Sequence, residues 1–267
     1  MIVFPNAKIN LGLHIVSKRA DGYHNLETVF YPVQLADILE MIESEKTGIS
    51  LTGLQVEGSS ENNLVLKAYN SLKKDFDLPP VQFHLHKLIP TGAGLGGGSS
   101  DAAFTLKLLN DYFQLNLTDG RLKSYAADIG ADCAFFIESK PAYATGIGNV
   151  LEPIALDLSN YKIVIAKPQI SVSTVQAYKN VVPSIPETSL LQLLFLPVEK
   201  WKETLINDFE TSIFPEFPEI RKIKDLLYDA GAIYASMSGS GSAVFGIFNE
   251  IPATLKNNFP GNVWLNI

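Results

Sequence analysis

The stretch VQFHLHKLIPTGAGLGGGSSD, residues 81–101, passes from a two-residue alternation through a run of glycines into a helical pattern. Val81, Phe83 and Leu85 alternate with Gln82, His84 and His86, the period of a strand with one buried face. Ala102, Leu106, Leu109 and Phe113 form a helical stripe over 100–114. Between them Gly92, Gly94, Gly96, Gly97 and Gly98 carry no side chains, so several backbone amides can approach one ligand closely. Ser99 and Ser100 then open a helix whose first N–H groups and positive end face the same loop. A strand, bare loop and helix N-terminus in this order make an anion site, and phosphate is the natural anion.

Two common phosphate loops do not fit. No lysine follows the glycines as a Walker A loop requires. Gly92-x-Gly94-x-x-Gly97 matches a dinucleotide fingerprint by letter, but the strand before it alternates and the next element is a second helix. That helix runs from a Thr118 cap through Leu122, Tyr125, Ala126 and Ile129, with Gly130 at its C′ position. His84-x-His86 has no third metal ligand in reach and reads as a polar outward face.

Further out, AKINLGLHI (7–15) alternates again, placing Lys8 and Asn10 together on a polar face off the core. Val65, Tyr69, Leu72 and Phe76 mark a helix within 62–77. A Pro-bearing connection at 149–160 precedes a strand at 161–167, and the domain boundary falls near 153, giving domains 1–153 and 154–267. Pro183, Pro186 and Pro197 make 181–200 irregular. The strands 232–237 and 243–248 flank SGSGS, a hairpin or tight glycine loop. The polar stretch 43–60 is read as a loop. Strands with one wet face point to antiparallel sheets, and the class is α+β.

The chain has 267 residues, 46% apolar and 18% charged, with a net charge of −7. That length suits two domains. The acidic balance argues against nucleic acid or an anionic membrane as partner, and leaves room for an anionic ligand in a locally positive pocket. Cys133 is the lone cysteine and forms no internal disulfide, which fits a reducing, cytoplasmic setting. MIVFPNAKIN shows neither signal-peptide nor transit-peptide features, and no apolar run is long enough for a membrane span.

Pro90-Thr91-Gly92-Ala93-Gly94-Leu95-Gly96-Gly97-Gly98-Ser99-Ser100 resembles the ATP phosphate-binding motif of the GHMP kinases. PNAKINLGLHI (5–15) and SMSGSGSAVFGIF (236–248) resemble that family's N-terminal motif and C-terminal glycine loop, in the right order across the chain. The resemblance implies a ribosomal-protein-S5-like N-terminal domain that binds ATP, a ferredoxin-like C-terminal domain on the substrate side, and a site between them. Within the family, Arg19-Ala20-Asp21-Gly22-Tyr23-His24 resembles the signature of the diphosphocytidyl-methylerythritol kinases, which phosphorylate the 2-hydroxyl of a cytidine diphosphate derivative in non-mevalonate isoprenoid precursor synthesis.

That resemblance implies roles residue by residue. Tyr23 stacks on the cytosine and His24 hydrogen-bonds it, Asp21-Gly22 supplying the turn before them. SVSTVQAY (171–178) offers Tyr178 as the second stacking aromatic, with Thr174 nearby. Asn10, Gly239 and Ser240 join the substrate side. Asn63 and Lys87 join the ATP contacts. Asp132 accepts the substrate's hydroxyl proton, while Lys8 keeps Asp132 ionised and neutralises charge on the phosphoryl group. Asp132 is expected between a helix end and an apolar strand, with Cys133 beside it as a small core residue. Mg²⁺ accompanies ATP. Ser99 and Ser100 are both candidates to help hold it, and Asp101 is either a third candidate or a first-turn aspartate favoured by the helix dipole. Two other readings stand beside this one, a GHMP kinase acting on mevalonate or homoserine and a GHMP-fold sensor that binds nucleotide without turnover.

Overall fold

The computed structural model describes residues 1–55, 62–255, 259 and 261–265. Two compact units interleave along the chain: one comprises 1–8, 32–91 and 96–140, the other 9–31, 92–95 and 141–267.

The first unit contains a sheet of order β1-β4-β6-β5, formed by Ile2–Val3, Ile38–Glu43, Val81–Lys87 and Gly48–Gly53. β6 keeps its predicted alternation: Val81, Phe83 and Leu85 are buried, and Leu85 and Phe83 lie opposite Leu39 and Met41 of antiparallel β4. Lys87 is in phase with that apolar face and is buried too. On the other face the Thr52 hydroxyl lies 2.9 Å from both His84 Nε2 and His86 Nδ1. Part of the 43–60 stretch is a strand, not a loop: β5 pairs parallel to β6, an exception to the antiparallel expectation. Residues 56–60 of that stretch lie outside the described residues.

Three helices pack on one another here, α1 (Leu64–Lys73), α2 (Gly97–Tyr112) and α3 (Asp119–Ile129). α1 is capped by Asn63, whose side chain accepts from Val65 N at 2.9 Å. Its buried face carries Val65, Ala68, Tyr69 and Leu72, and Tyr69 meets Phe83 of β6 edge-on. α2 begins three residues before the expected start, because Gly96 takes a left-handed conformation (φ 72°) at its N-cap and lets Gly97 and Gly98 enter the first turn. Thr118 caps α3 as expected, but Gly130 is extended (φ −177°) rather than the left-handed C′ glycine anticipated. The apolar run after Asp132 forms a helical turn, α4 (Phe135–Glu138), where a strand was expected. FFIE is too short for periodicity to separate the two.

The second unit holds an antiparallel sheet of order β10-β11-β9-β12, formed by Tyr234–Met237, Val244–Phe248, Lys162–Lys167 and Asn262–Leu265. β10 and β11 are the hairpin predicted around SGSGS. Helices α8 (Phe209–Glu216) and α9 (Pro218–Asp229) supply Phe209, Ile213, Ile220, Ile223 and Leu227 to a core shared with Val164, Ala166, Val244 and Phe248. Pro218 opens α9, where its missing N–H costs nothing. Each fully buried aliphatic side chain contributes about 1.5–3 kcal/mol. Shorter helices α5 (Thr174–Tyr178), α6 (Leu190–Leu194) and α7 (Val198–Thr204) precede α8, and α5 starts on a Ser173–Gln176 capping box.

A third sheet has the order β2-β3-β7-β8, from Asn6–Lys18, His24–Ala36, Ala142–Thr145 and Val150–Pro153. β2 departs from the sequence expectation. Both of its faces are buried from Ala7 to Ile15, Lys8, Asn10 and His14 included. Protein groups instead of water meet most of these alternating polar atoms, while His14 Nε2 has no hydrogen-bond partner among the described residues. Asn10 donates to Thr28 Oγ1 at 3.0 Å, and His14 Nδ1 lies 3.4 Å from Asp208.

Candidate functional site

Lys8 Nζ lies 3.6 Å from Asp132 Oδ2. The two side chains differ in exposure, 4% for the lysine and 34% for the aspartate, so the ammonium is sealed while the carboxylate remains open to a ligand. Burial lowers the Lys8 pKa, and Asp132 pulls it back part of the way. Gly96 adjoins this pair: a Cβ there would sit 3.3 Å from Lys8 Cε and 2.7 Å from the Phe136 ring. Cys133, beside Asp132, is fully buried, and burial pushes its thiol up to about 11, so it is a core residue and no nucleophile.

The α2 N-terminus follows directly. No side chain caps it. Ser100 Oγ is fully buried and has no hydrogen-bond partner among the described residues. A bare helix end with an unpartnered hydroxyl is suited to an anionic oxygen.

Under that turn lies an ion cluster that the sequence reading missed. Lys87 Nζ donates to Asp37 Oδ2 at 2.5 Å and to Asp101 Oδ2 at 2.7 Å, all three buried. Asp37 Oδ1 accepts from Leu88 N (2.6 Å) and Ile89 N (2.8 Å). One carboxylate thus fixes the lead into the glycine loop, and the other belongs to α2 just past its first turn. Burial alone would lower the Lys87 pKa, but the two carboxylates raise it. Burial pushes Asp101 up to about 7 against the pull of Lys87. Asp101 is therefore an ion partner at the foot of the loop, not a helix-dipole aspartate at the surface.

In the second unit, Gly94 has φ 75°, and a Cβ there would sit 1.8 Å from Ser238 O. Ser238 Oγ donates to Gly94 O at 2.8 Å, and Ala243 N donates to Ala93 O. The two glycine-rich segments are thus in backbone contact within this unit, and Gly239 is 3.2 Å, measured from an ideal Cβ, from Asn10 Oδ1. Gly94→Ala should be among the least tolerated changes here, combining a left-handed φ with a backbone clash. We expect loss of ATP-dependent turnover with retained far-UV circular dichroism, checked by an ADP-release assay beside a thermal melt.

The hexapeptide Arg19–His24 closes into a turn. Arg19 N donates to Tyr23 O at 2.8 Å, the Arg19 guanidinium pairs with Asp21 at 2.9 Å, and Asp21 Oδ1 accepts Tyr23 N. Tyr23 is 62% exposed, while His24 stacks on Tyr178 with centroids 4.7 Å apart and planes 18° from parallel. Tyr178 ends α5 and meets Phe209 edge-on, and Thr174 is the exposed first residue of that helix. The structure therefore brings His24 and Tyr178 together, Lys8 and Asp132 together, and Asn10 beside Gly239. It places the Asn63 side chain on its own helix as a cap and Lys87 in the ion cluster.

Residues 63–140 match the family GHMP kinases N terminal domain, and 198–258 match GHMP kinases C terminal. The chain is 58% identical over 268 aligned residues to the 4-diphosphocytidyl-2-C-methyl-D-erythritol kinase of Bacteroides thetaiotaomicron, covering 99% of this chain and 98% of that one. It is 55% identical to the Parabacteroides distasonis kinase of the same name, over 94% of this chain and 92% of that one. A crystal structure of a 4-(cytidine 5'-diphospho)-2C-methyl-D-erythritol kinase superposes with a TM-score of 0.83 at 32% identity, covering 99% and 98% of the two chains. Homoserine kinase from Cytophaga hutchinsonii shares the fold alone, at TM-score 0.68 and 16% identity, covering 98% and 94%. The two-domain GHMP fold and the α+β class inferred from sequence both hold. Among the described residues no helix is long and apolar enough to cross a membrane, and no cluster of three metal-ligating side chains occurs.

Proposed function

This chain belongs to the 4-diphosphocytidyl-2-C-methyl-D-erythritol kinases of the GHMP family, and from that premise we propose which of its residues carry out the phosphoryl transfer. The reaction is ATP plus 4-diphosphocytidyl-2-C-methyl-D-erythritol giving the 2-phosphate and ADP, in non-mevalonate isoprenoid precursor synthesis. The observation that supports the assignment is the buried lysine against a half-open carboxylate, Lys8 and Asp132.

The substrate's 2-hydroxyl gives its proton to an Asp132 oxygen as its own oxygen bonds to the γ-phosphorus and the bond to ADP breaks. Lys8 favours the ionised carboxylate and faces the charge that develops on the transferred group. The transition state is loose, so position and charge neutralisation outweigh base strength. Segment 90–100 holds the triphosphate on backbone amides and the α2 N-terminus. The Ser99 and Ser100 hydroxyls are the groups that would help hold Mg²⁺, Ser100 being buried without a partner among the described residues, and the ion would supply further charge neutralisation. Asn63 and Lys87 border the nucleotide, with Lys87 acting through the loop. Tyr23, His24, Thr174, Tyr178, Asn10, Gly239 and Ser240 receive the cytidylyl substrate. A lone cysteine fits work in the cytoplasm.

The deciding experiment is ADP release with Mg²⁺-ATP and the cytidylyl substrate, beside parallel reactions with mevalonate and homoserine. Turnover only with the cytidylyl compound is expected. Equal turnover with mevalonate would overturn the substrate assignment. ATP binding without any substrate-dependent turnover would leave a nucleotide sensor.

A further inference from the structure

Asn207 lies between α7 and α8, in a segment no motif marks, yet it is 98% buried in effect, with 2% of its surface exposed. Its backbone joins β2, since Leu13 N donates to Ile206 O and Asp208 N to Leu13 O, each at 2.9 Å, making an isolated parallel bridge at Asn207. Its side chain is fully used. Oδ1 accepts Phe209 N at 3.0 Å, and Nδ2 donates to Met237 O at 2.8 Å and to Gly239 O at 2.9 Å.

Those two carbonyls flank the start of the SGSGS loop. The Gly239–Ser240 peptide is trans, Gly241–Ser242 being the one cis bond among the described residues. In a planar trans peptide the C=O and N–H point opposite ways. Holding Gly239 O on Asn207 therefore turns the Ser240 N–H to the other side. That N–H makes no hydrogen bond among the described residues. Gly239 itself lies beside Asn10 and Gly94.

We propose that Asn207 is a positioning residue for the kinase reaction: its carboxamide fixes the Met237 and Gly239 carbonyls so that the Ser240 N–H faces outward as a donor to an anionic oxygen of the bound substrate. The proposal rests on the substrate-side role given above to Gly239 and Ser240. Among the described residues no other donor spans both carbonyls, so an oxygen in place of Nδ2 sets lone pairs against lone pairs and releases the loop.

The test uses the full chain with Asn207→Asp, nearly identical in shape. At pH 8 the ionised carboxylate repels both carbonyls, and kcat/KM for the cytidylyl substrate should fall about 10–100-fold, the loss expected when buried hydrogen-bonding groups are left unpaired. Burial raises a carboxyl pKa. On lowering the pH to 6 the protonated form regains one donor, and part of the loss should be recovered, with no such rise in the unaltered protein. Asn207→Ser, whose hydroxyl serves one carbonyl, should show an intermediate loss, and it decides the matter if the aspartate variant does not fold. Unchanged kcat/KM in the serine variant would overturn the proposal. If the unaltered protein itself lacks substrate-dependent turnover, the functional reading fails instead. Asn207 is then judged by the ligand-free Ser240 amide resonance in ¹⁵N-labelled protein, which should shift in Asn207→Ser. An unmoved resonance would count against it.

Discussion

Asp132→Asn lowers kcat by about 10²–10⁴-fold, the range for loss of a positioned general base, and leaves the KM for ATP near its original value. The substitution keeps the shape and removes the charge. Asp132 is about one-third exposed, so the fold loses little directly. The informative part is what happens to Lys8. Its pKa already lies below the ordinary lysine value because burial penalises the ammonium, and Asp132 is what offsets that penalty. Without the carboxylate the ammonium is less favoured still. The alkaline limb of kcat/KM, which reports the free enzyme, should therefore stand below pH 10.5 in the unaltered protein and move lower again in the variant. A rate loss with an unmoved alkaline limb would mean that Lys8 is not the group titrating there. A variant with full activity would remove Asp132 from the chemistry altogether.

The pairing of Lys8 with Asp132 was legible because motifs named both, but the burial of the lysine was not. Alternation in 7–15 placed Lys8 on a polar face, and a polar face reads as wet. Period two reports which side chains share a face and is silent on what covers that face. Here protein groups 18 to 194 positions away in the chain, such as Thr28 and Asp208, satisfy it. Lys87 shows the converse. Its place in phase with Val81, Phe83 and Leu85 marked a lysine on the apolar side of a strand, which demands a partner. The partners, Asp37 and Asp101, come from the junction between β3 and β4 and from α2. β5 escaped notice because GISLTG is an exposed edge strand paired in parallel, and the alternation of Ile49 and Leu51 with Ser50 and Thr52 is too brief to announce it. Asn207 left no signal at all. An asparagine between two short helices reads as a turn, and only the fold shows its amide bridging two carbonyls.

Lys87→Met should destabilise the protein by about 3–5 kcal/mol, the cost of removing one partner from a buried ion pair. For a chain of this size that corresponds to a fall in melting temperature on the order of 10 °C. Methionine fills much of the same volume, so the loss comes from the charges left behind. Asp37 retains the Leu88 and Ile89 amides, but Asp101 loses the ammonium and faces only the Asp37 carboxylate, its Oδ1 already lacking a partner among the described residues. The penalty therefore depends on whether Asp101 is charged. Its folded pKa of about 7 stands above the ordinary 3.8, so its contribution to stability is fully present below the lower value and is lost as the pH rises through the upper one. Removing Lys87 withdraws the attraction that held that pKa down and moves it higher. The variant should then lie much closer to the unaltered protein at pH 5 than at pH 8 in thermal melts of the ligand-free chain. Adding Asp101→Asn to Lys87→Met removes the stranded charge and should restore part of the stability at pH 8, with little further effect at pH 5. A deficit that is the same at both pH values, and that Asp101→Asn does not relieve, would show that Lys87 stabilises through packing of its stem and not through the ion cluster beneath the phosphate loop.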